Sequence, residues 1–229
     1  MPTYLLIGAS RGIGGSTAQY LASKGAEILG VSRSPALAGN WIEADVGTDR
    51  GIDRIVEAVS DRVLDGLLFL GGVWEEGAFT DAYDFVSSPQ DEVRALISVN
   101  LVAPILLARA LAPNLAKAEN PRIILNGALS GLPNAATPEV ANTATKFGIQ
   151  GVAQSLNLSL RAYGVGVTVV NPGNVATPEV MEDIAAGRFG NQVPIPIEDV
   201  LHTYEYVLRL SSSTVPVTIN LTQKKPELD

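Results

Sequence analysis

Short apolar runs alternate along this chain with longer stretches whose apolar residues recur at helical spacing. The runs are continuous, which is typical of strands buried on both faces of a parallel sheet. They predict seven strands, at 4–7, 27–31, 41–44, 67–70, 122–125, 165–170 and 215–221. The clearest helices are predicted at 48–59, 90–115, 139–163 and 198–210. This alternation predicts an α/β fold with a doubly wound, mainly parallel seven-stranded sheet and helices on both faces.

Two segments are predicted to depart from regular structure. Pro104 is expected to kink helix 90–115 or to end one of its turns. Segment 174–196 is expected to be an irregular, mobile loop, because glycines and prolines punctuate it at Gly187, Gly190, Pro194 and Pro196. The same segment supplies apolar candidates for lining a substrate pocket, at Met181, Ile184 and Phe189.

The glycine-rich turn after the first strand carries the most specific chemistry. Residues 8–14 read Gly-Ala-Ser-Arg-Gly-Ile-Gly, between a predicted strand and a predicted helix. Gly8 allows a tight turn, Gly12 lets the backbone approach a pyrophosphate, and Gly14 lets the helix pack close to the sheet. Free amides at the helix N-terminus then face the anion. The turn predicts one Rossmann-type dinucleotide-binding domain over residues 1–229, and later motifs weigh against a turn without a ligand.

Two arginines favour a phosphorylated cofactor. The end of the second strand normally meets the adenosine ribose, where an acid binds the 2′-hydroxyl and an arginine accommodates a 2′-phosphate. No acid follows Val31 directly, whereas Arg33 does, and Arg11 in the glycine turn can approach the same place. We therefore expect NADP(H) as the cofactor; the alternative is two solvated surface arginines.

Composition narrows the class of protein. The chain has 229 residues, 46% of them hydrophobic, and a formal net charge of −8. The charge argues against nucleic acid or an anionic membrane as the main partner. With no cysteine and one histidine, no metal site is expected. No signal peptide is visible, and apolar stretches such as 101–108 are too short to span a bilayer, so a cytoplasmic protein is expected.

The chain resembles the short-chain dehydrogenase/reductase family over nearly its full length. The motifs that carry the resemblance are the 8–14 turn, Asp45-Val46, Asn100, Lys146 and the stretch Pro-Gly-Asn-Val-Ala-Thr at 172–177. The resemblance implies a cofactor site formed by Gly8, Ser10, Arg11, Gly12, Ile13, Gly14, Arg33, Asp45, Val46, Gly71, Gly72, Lys146, Pro172, Gly173, Val175 and Thr177. Its implied contacts are adenine at Asp45 and Val46, ribose at Gly71 and Gly72, nicotinamide ribose at Lys146, and carboxamide at Val175 and Thr177.

The residues that handle the proton in this family are missing here. Asn142 stands four residues before Lys146, where the family has its tyrosine, and Ala128 stands at the position of its serine. An amide donates a hydrogen bond but gives up no proton at neutral pH. General acid–base catalysis contributes about 10²–10⁴ in rate, so the usual mechanism should be severely weakened. Lys146 and Asn100 remain as the candidate catalytic pair.

Three groups are considered as substitutes for the missing proton donor: Ser130, Glu139, and Lys146 acting through a water held by Asn100. Each also has a purely structural interpretation, and none is preferred. Replacing Ala128 by Ser and Asn142 by Tyr is expected to raise turnover if the cleft is open at that point. In a blocked cleft, the same double change is expected to destabilise the protein instead.

Two functions from different classes follow. The first is a divergent NADP(H)-dependent oxidoreductase acting on a small carbonyl or alcohol by a non-standard or weakened proton transfer. The second is an inactive NADP(H)-binding protein that serves as a sensor or partner subunit. A third hypothesis, a non-redox enzyme, has less support, because the sequence offers no nucleophile–base pair. A homodimer or homotetramer is expected, since helices 100–115 and 148–160 are apolar on more than one face.

Overall fold

The computed structural model describes residues 1–187 and 193–224. Seven strands form one sheet, and their bounds are β1 Thr3–Ile7, β2 Glu27–Ser32, β3 Asn40–Glu43, β4 Gly66–Phe69, β5 Arg122–Asn126, β6 Gly166–Pro172 and β7 Thr218–Leu221. Their spatial order is β3-β2-β1-β4-β5-β6-β7, and each neighbouring pair in this described sheet is parallel. The prediction of a doubly wound sheet is confirmed. The sheet is more uniform than the mainly parallel one expected.

The helices connect the strands on both faces. Their bounds are α1 Gly12–Ser23, α2 Asp49–Val59, α3 Gln90–Ile97, α4 Ala103–Leu115, α5 Val140–Ser159, α6 Pro178–Ala185 and α7 Ile197–Arg209. Side chains alternate across the central strands: Leu5 packs with the helices α2, α4 and α5, whereas Leu6 packs with α1 and α7. Both faces of each central strand are therefore buried, which explains why these strands are continuous apolar runs.

The stretch predicted to be irregular contains a helix. Thr177 begins it, with its hydroxyl accepting the N–H of Val180 at 3.4 Å, and Pro178 occupies the first turn. A capping threonine followed by proline is a strong helix start, so the expectation of an irregular loop throughout 174–196 is wrong for Pro178–Ala185. Gly190 and Phe189 lie outside the described residues. At the chain's end, β7 begins at Thr218, three residues later than predicted.

The predicted helix 90–115 runs in one direction, but its backbone hydrogen-bond pattern changes part-way along. Between α3 and α4 lies a π-helical turn, Ser98–Val102, in which the N–H of Ala103 donates to the carbonyl of Ser98, five residues earlier. Pro104 has no N–H to offer the carbonyl of Asn100. The irregularity expected at Pro104 is therefore present one turn earlier, as a π turn centred on Asn100.

This run is also the one helix in the described part of the chain that is both long and apolar enough to span a membrane. By length and composition alone, Gln90–Leu115 could cross a membrane, with a mean hydropathy of 1.9 in its most apolar window. In the fold, 44% of that window is buried, and α4 packs against α2 and the sheet. The core helix of a soluble protein passes the same test, so the finding is weak evidence for a membrane span.

Candidate cofactor and catalytic site

The β1–α1 turn places two glycines, Gly8 and Gly14, where a side chain would collide with backbone. A Cβ on Gly14 would lie 2.2 Å from the carbonyl oxygen of Gly8. A Cβ on Gly8 would lie 2.6 Å from the Cα of Gly71, and Gly8 also has a φ of +92°. Strand β1, helix α1 and the end of β4 therefore meet at backbone contact distance, as the spacing predicted.

The start of α1 is open to an anion. Arg11 precedes the helix in extended conformation and no side chain caps the first turn, which also contains no acidic residue. Gly12 has a φ of +54°, and a Cβ there would meet only the Oε2 atom of Glu179, at 3.9 Å. Ser10 and Ile13 flank this gap. An uncapped helix N-terminus beside a glycine with free space above it has the shape and charge that a phosphate needs.

The adjacent strand ends line the same edge of the sheet. Asp45 follows β3, and its Oδ1 atom accepts the N–H of Gly47 at 3.0 Å, so one carboxylate oxygen is used within its own turn. Val46 is half-buried against the core. Arg11 and Arg33 are both exposed, at the ends of β1 and β2 respectively. The adenosine side of the predicted site is therefore open and carries two guanidinium groups.

The side chain of Asn100 links the end of β4 to the π turn by hydrogen bonds. Its Oδ1 atom accepts the N–H of Val73 at 3.0 Å, while its Nδ2 atom donates to the carbonyl of Val73 at 2.8 Å. The same nitrogen lies 3.4 Å from the hydroxyl of Thr145 on α5. A Cβ on Gly72 would lie 3.5 Å from the Asn100 oxygen. The Asn100 amide thus holds three elements together around Gly71 and Gly72.

Lys146 is held by the end of β5. Its Nζ atom donates to the carbonyl of Asn126 at 3.2 Å, and the Oδ1 atom of Asn126 in turn accepts the hydroxyl of buried Tyr204 at 3.0 Å. Burial lowers the pKa of Lys146 from 10.5 to about 8. Within the described residues, no carboxylate forms an ion pair with this ammonium. Lys146 is therefore a cation whose proton is unusually easy to remove.

The loop after β5 contains Ala128 and approaches α5 through Gly131. Ala128 is extended and begins a short 3-10 turn, Leu129–Gly131. A Cβ on Gly131 would lie 2.3 Å from the carbonyl oxygen of Lys146, so only glycine allows the turn to approach α5 this closely. Ser130, one of the predicted substitutes, is half-buried in the same turn. The methyl group of Ala128 cannot orient a carbonyl group by hydrogen bonding.

The segment after β6 forms the far side of the predicted site. Pro172 ends β6, and the N–H of Gly173 donates to the carbonyl of Leu221 at 2.9 Å. Val175 forms a parallel bridge with Ile195. The hydroxyl of Thr177 is used to cap α6, so the group that the resemblance assigns to a carboxamide already has an intramolecular partner.

Asn142 is buried at the start of α5, where its side chain is only 2% exposed. Its backbone N–H donates to the Oε1 atom of Glu75 at 2.9 Å, and its Oδ1 atom has no hydrogen-bond partner. Glu75 lies five residues beyond Leu70, in the loop 73–89 between β4 and α3, which we call the β4–α3 loop. A carboxylate from a distant part of the chain therefore contacts Asn142, the residue at the predicted tyrosine position.

The β4–α3 loop makes two further contacts with the start of α5. The hydroxyl of Tyr83 accepts the N–H of Val140 at 3.2 Å, and the N–H of Phe79 donates to the Oε1 atom of Glu139 at 2.8 Å. Burial raises the pKa of the Glu139 carboxyl, but hydrogen bonds from Thr137, Phe79 and its own N–H outweigh burial and bring it below the usual value. Glu139 is thus held as a carboxylate.

Sequence reasoning missed Glu75 and Tyr83. Their contacts with α5 span 67 and 57 residues, which no local pattern reports. The available signal was positional: Glu75 follows the carboxyl end of β4, and carboxyl ends of parallel strands share one edge.

A family model described as short chain dehydrogenase matches residues 2–186. The chain belongs to this family. The short chain dehydrogenase adrF of Penicillium rubens is 29% identical over 182 residues, which are 76% of this chain and 69% of that protein. The trans-4-hydroxycyclohexanecarboxylate dehydrogenase of Sinomonas cyclohexanicum is 29% identical over 198 residues, covering 76% and 72%.

A solved structure extends the match in fold. The 3-alpha-hydroxysteroid dehydrogenase of Pseudomonas sp. B-0831, complexed with NADH, superposes with a TM-score of 0.76 at 21% identity. The match covers 96% of this chain and 94% of that one. The resemblance expected from the motifs is confirmed, and the relatives support an oxidoreductase that belongs to a family binding nicotinamide dinucleotides.

Proposed function

We propose that this protein is an NADP(H)-dependent oxidoreductase acting on a small carbonyl or alcohol, with a proton-transfer arrangement different from the family's. The observation that carries the proposal is the uncapped N-terminus of α1 beside the free space over Gly12. Both features fit a pyrophosphate. When bound, the nicotinamide cofactor supplies or accepts the hydride.

Residues along the C-terminal edge of the sheet would hold this cofactor. They are Gly8, Ser10, Arg11, Gly12, Ile13, Gly14, Arg33, Asp45, Val46, Gly71, Gly72, Lys146, Pro172, Gly173, Val175 and Thr177. Lys146 would bind the nicotinamide ribose. Asn100 would hold the backbone of Val73 in place at the bottom of the site. Two exposed arginines without an acid after β2 support a 2′-phosphate.

Asn142 and Ala128 support a departure from the usual chemistry. Neither side chain can pass a proton at neutral pH. Lys146, with its pKa lowered to about 8, can release one more readily than an ordinary lysine.

A second function remains open, namely a cofactor-binding protein without turnover that serves as a sensor or partner subunit. The burial of Asn142 under the β4–α3 loop favours it, because the usual proton-transfer position is covered.

Cofactor titrations test the first proposal. NADPH and NADH are titrated against the unmodified protein, Arg33→Ala and a control, Arg161→Ala, which changes an exposed arginine before β6 at the opposite edge of the sheet. Loss of charge-assisted hydrogen bonds to a phosphate should weaken NADPH binding by roughly ten- to a hundredfold in Arg33→Ala alone. NADH binding should change less than about twofold. Equal affinity of the unmodified protein for both cofactors contradicts the NADP(H) preference.

Turnover separates the two functions. NADPH oxidation is followed with a panel of small ketones and diketones at saturating cofactor. Turnover with any of them supports the enzyme. Tight NADPH binding with no turnover across the panel supports the sensor or partner-subunit function.

We also propose a cytoplasmic homodimer or homotetramer with no nucleic-acid or membrane partner. Several apolar side chains on α4, α5 and the turn before α4 are exposed in the single chain: Val102, Ile105, Phe147 and Leu158. Burying them against a second copy would remove apolar surface from water. Light scattering at micromolar concentration should give a multiple of 24.0 kDa, and a monomeric mass contradicts assembly.

A further inference from the structure

Three buried oxygen atoms without a hydrogen-bond partner belong to residues joined at the start of α5. They are Oε2 of Glu75, Oε2 of Glu139 and Oδ1 of Asn142, on residues that are 4%, 3% and 2% exposed. Among the described residues, the remaining buried atoms of this kind are Arg122 Nε and Thr168 Oγ1, which lie on β5 and β6. All three at α5 are acceptors. Buried acceptors are normally paired, so this junction has unused capacity to take a proton or a donor group.

Glu75 is the carboxylate that directly contacts residue 142. Its Oε1 atom accepts the Asn142 N–H at 2.9 Å, which fixes the carboxylate on the first turn of α5. Helix N-termini stabilise negative charge, so a structural role as a cap accounts for this oxygen. The cap leaves Oε2 free, one helical turn before Lys146.

The neighbouring candidates are less suited to move a proton. The Glu139 carboxylate is held by three hydrogen bonds that keep its pKa low. The Tyr83 hydroxyl accepts an N–H from Val140, the first residue of α5, whereas the N–H of Asn142 goes to Glu75. Asn142 itself has no transferable proton.

We propose that Glu75 is the catalytic residue that takes the substrate's hydroxyl proton during oxidation and returns it during reduction. This inference rests on the proposed oxidoreductase function. In oxidation, the substrate O–H bond breaks and its proton passes to Oε2 of Glu75. The hydride of the adjacent C–H bond passes to the oxidised nicotinamide nucleotide, and a C=O bond forms. Glu75 then releases the proton to water, and reduction reverses each transfer.

The β4–α3 loop controls access to this carboxylate. Glu75 is buried, whereas Trp74 and Phe79 of the same loop are about half exposed, at 54% and 47%. In the proposed reaction, substrate reaches Oε2 when the exposed part of this loop opens, while the Asn142 N–H keeps Oε1 on α5. A carboxylate shielded from water transfers protons without competition from solvent.

Two matched variants of Glu75 separate proton transfer from capping. Glu75→Gln keeps the length of the side chain and an oxygen that can accept the Asn142 N–H, but it cannot carry a proton. Glu75→Asp keeps the carboxyl group but shortens its reach. Proton transfer predicts a lower kcat for Glu75→Gln than for Glu75→Asp, whereas a purely structural cap predicts the reverse order. The control is Glu76→Gln, since Glu76 is the adjacent, exposed carboxylate.

We measure kcat and KM for NADPH-dependent reduction and for the reverse oxidation, together with NADPH affinity and Tm. Glu75→Gln should lower kcat by about a hundredfold or more, with NADPH affinity within about twofold of the unmodified protein. Glu76→Gln should leave kcat and KM within about twofold of the unmodified protein.

Several results overturn the proposal. A kcat within threefold of the unmodified value in Glu75→Gln removes Glu75 from the proton path, and loss of activity in Tyr83→Phe would then assign the path to Tyr83. A higher kcat in Glu75→Gln than in Glu75→Asp reduces Glu75 to a cap. If the unmodified protein binds NADPH but turns over no substrate, the proposed function itself fails, and the Glu75 proposal fails with it.

Discussion

The cofactor turn and the start of α5 are built on opposite principles. At the β1–α1 turn, backbone meets backbone, and the Cβ of Gly14 would lie 2.2 Å from the Gly8 oxygen. No side chain caps the helix that follows. At the start of α5, side chains from a distant loop supply the contacts, through Glu75 and Tyr83. The first helix leaves its amides for a ligand, whereas the second has amides already bonded within the protein.

The two regions differ in how readily substitutions can change them. A backbone cradle depends on the absence of side chains, so few substitutions are compatible with it. A site made of side chains can be reassigned by changing which loop reaches it. In this protein, Asn142 stands at the predicted tyrosine position, and a carboxylate from the β4–α3 loop accepts its backbone N–H.

The largest effect is expected from Gly14→Ala. The added methyl must displace the Gly8 carbonyl, and overpacking of this kind costs about 3 kcal/mol in the free energy of unfolding. NADPH binding should be lost as well, because the start of α1 moves away from the sheet. Chemical denaturation and cofactor titration measure both effects.

The matched control for this change is Gly151→Ala. Gly151 lies within α5, and its Cβ would meet nothing within 4 Å. This change should stabilise the protein by about 0.5–1 kcal/mol, as alanine is the better helix former. Equal stability losses in the two variants would show that the crowding at Gly14 is not what makes it essential.

Restoring the family's residues tests the region at the start of α5, where side chains supply the contacts. Ala128→Ser with Asn142→Tyr puts a phenol at a residue that is 2% exposed and whose backbone N–H is bonded to Glu75. The sequence left two outcomes open, higher turnover in an open cleft and destabilisation in a blocked one. The structure favours the second, and we expect the free energy of unfolding to fall by about 1–3 kcal/mol. Denaturation and NADPH oxidation are measured together. Higher turnover without a stability loss would show instead that the β4–α3 loop readily vacates this position.

A smaller, pH-dependent effect is expected from Lys146→Met. The folded-state pKa of Lys146, about 8, is below its ordinary 10.5. Below pH 8 the ammonium is buried with its proton, at a cost of up to about 3 kcal/mol, which partial solvent contact reduces to about 2 kcal/mol. Near pH 7 the variant should therefore be the more stable protein by about that amount.

The sign follows from proton uptake. Between pH 8 and 10.5 the unfolded chain binds more protons at this lysine than the folded one, so the unmodified protein gains stability as the pH rises. The higher stability of Lys146→Met relative to the unmodified protein should vanish by pH 10.5. A stability difference that is constant from pH 7 to 10.5 would contradict a lowered pKa.

The sheet and the cofactor turn could be predicted because their causes are local. Continuous apolar runs specify buried parallel strands, and the spacing of Gly8 and Gly14 specifies a backbone contact. Helix α6 was missed because its glycine- and proline-rich surroundings outweighed the Thr177 cap that begins it. The contact between Glu75 and Asn142 could not be predicted, because it depends on the path of an irregular loop rather than on periodicity.

The π-helical turn Ser98–Val102 is equivalent to a single residue inserted into an otherwise regular helix. Each residue turns a helix by about 100°, so deleting Leu101 would rotate Asn100 and α3 by that angle relative to α4. The amide would then leave Val73, whose N–H and carbonyl both depend on it. The position of Val73 at the bottom of the site thus depends on the number of residues in this helix. A one-residue deletion there would be more damaging than most substitutions.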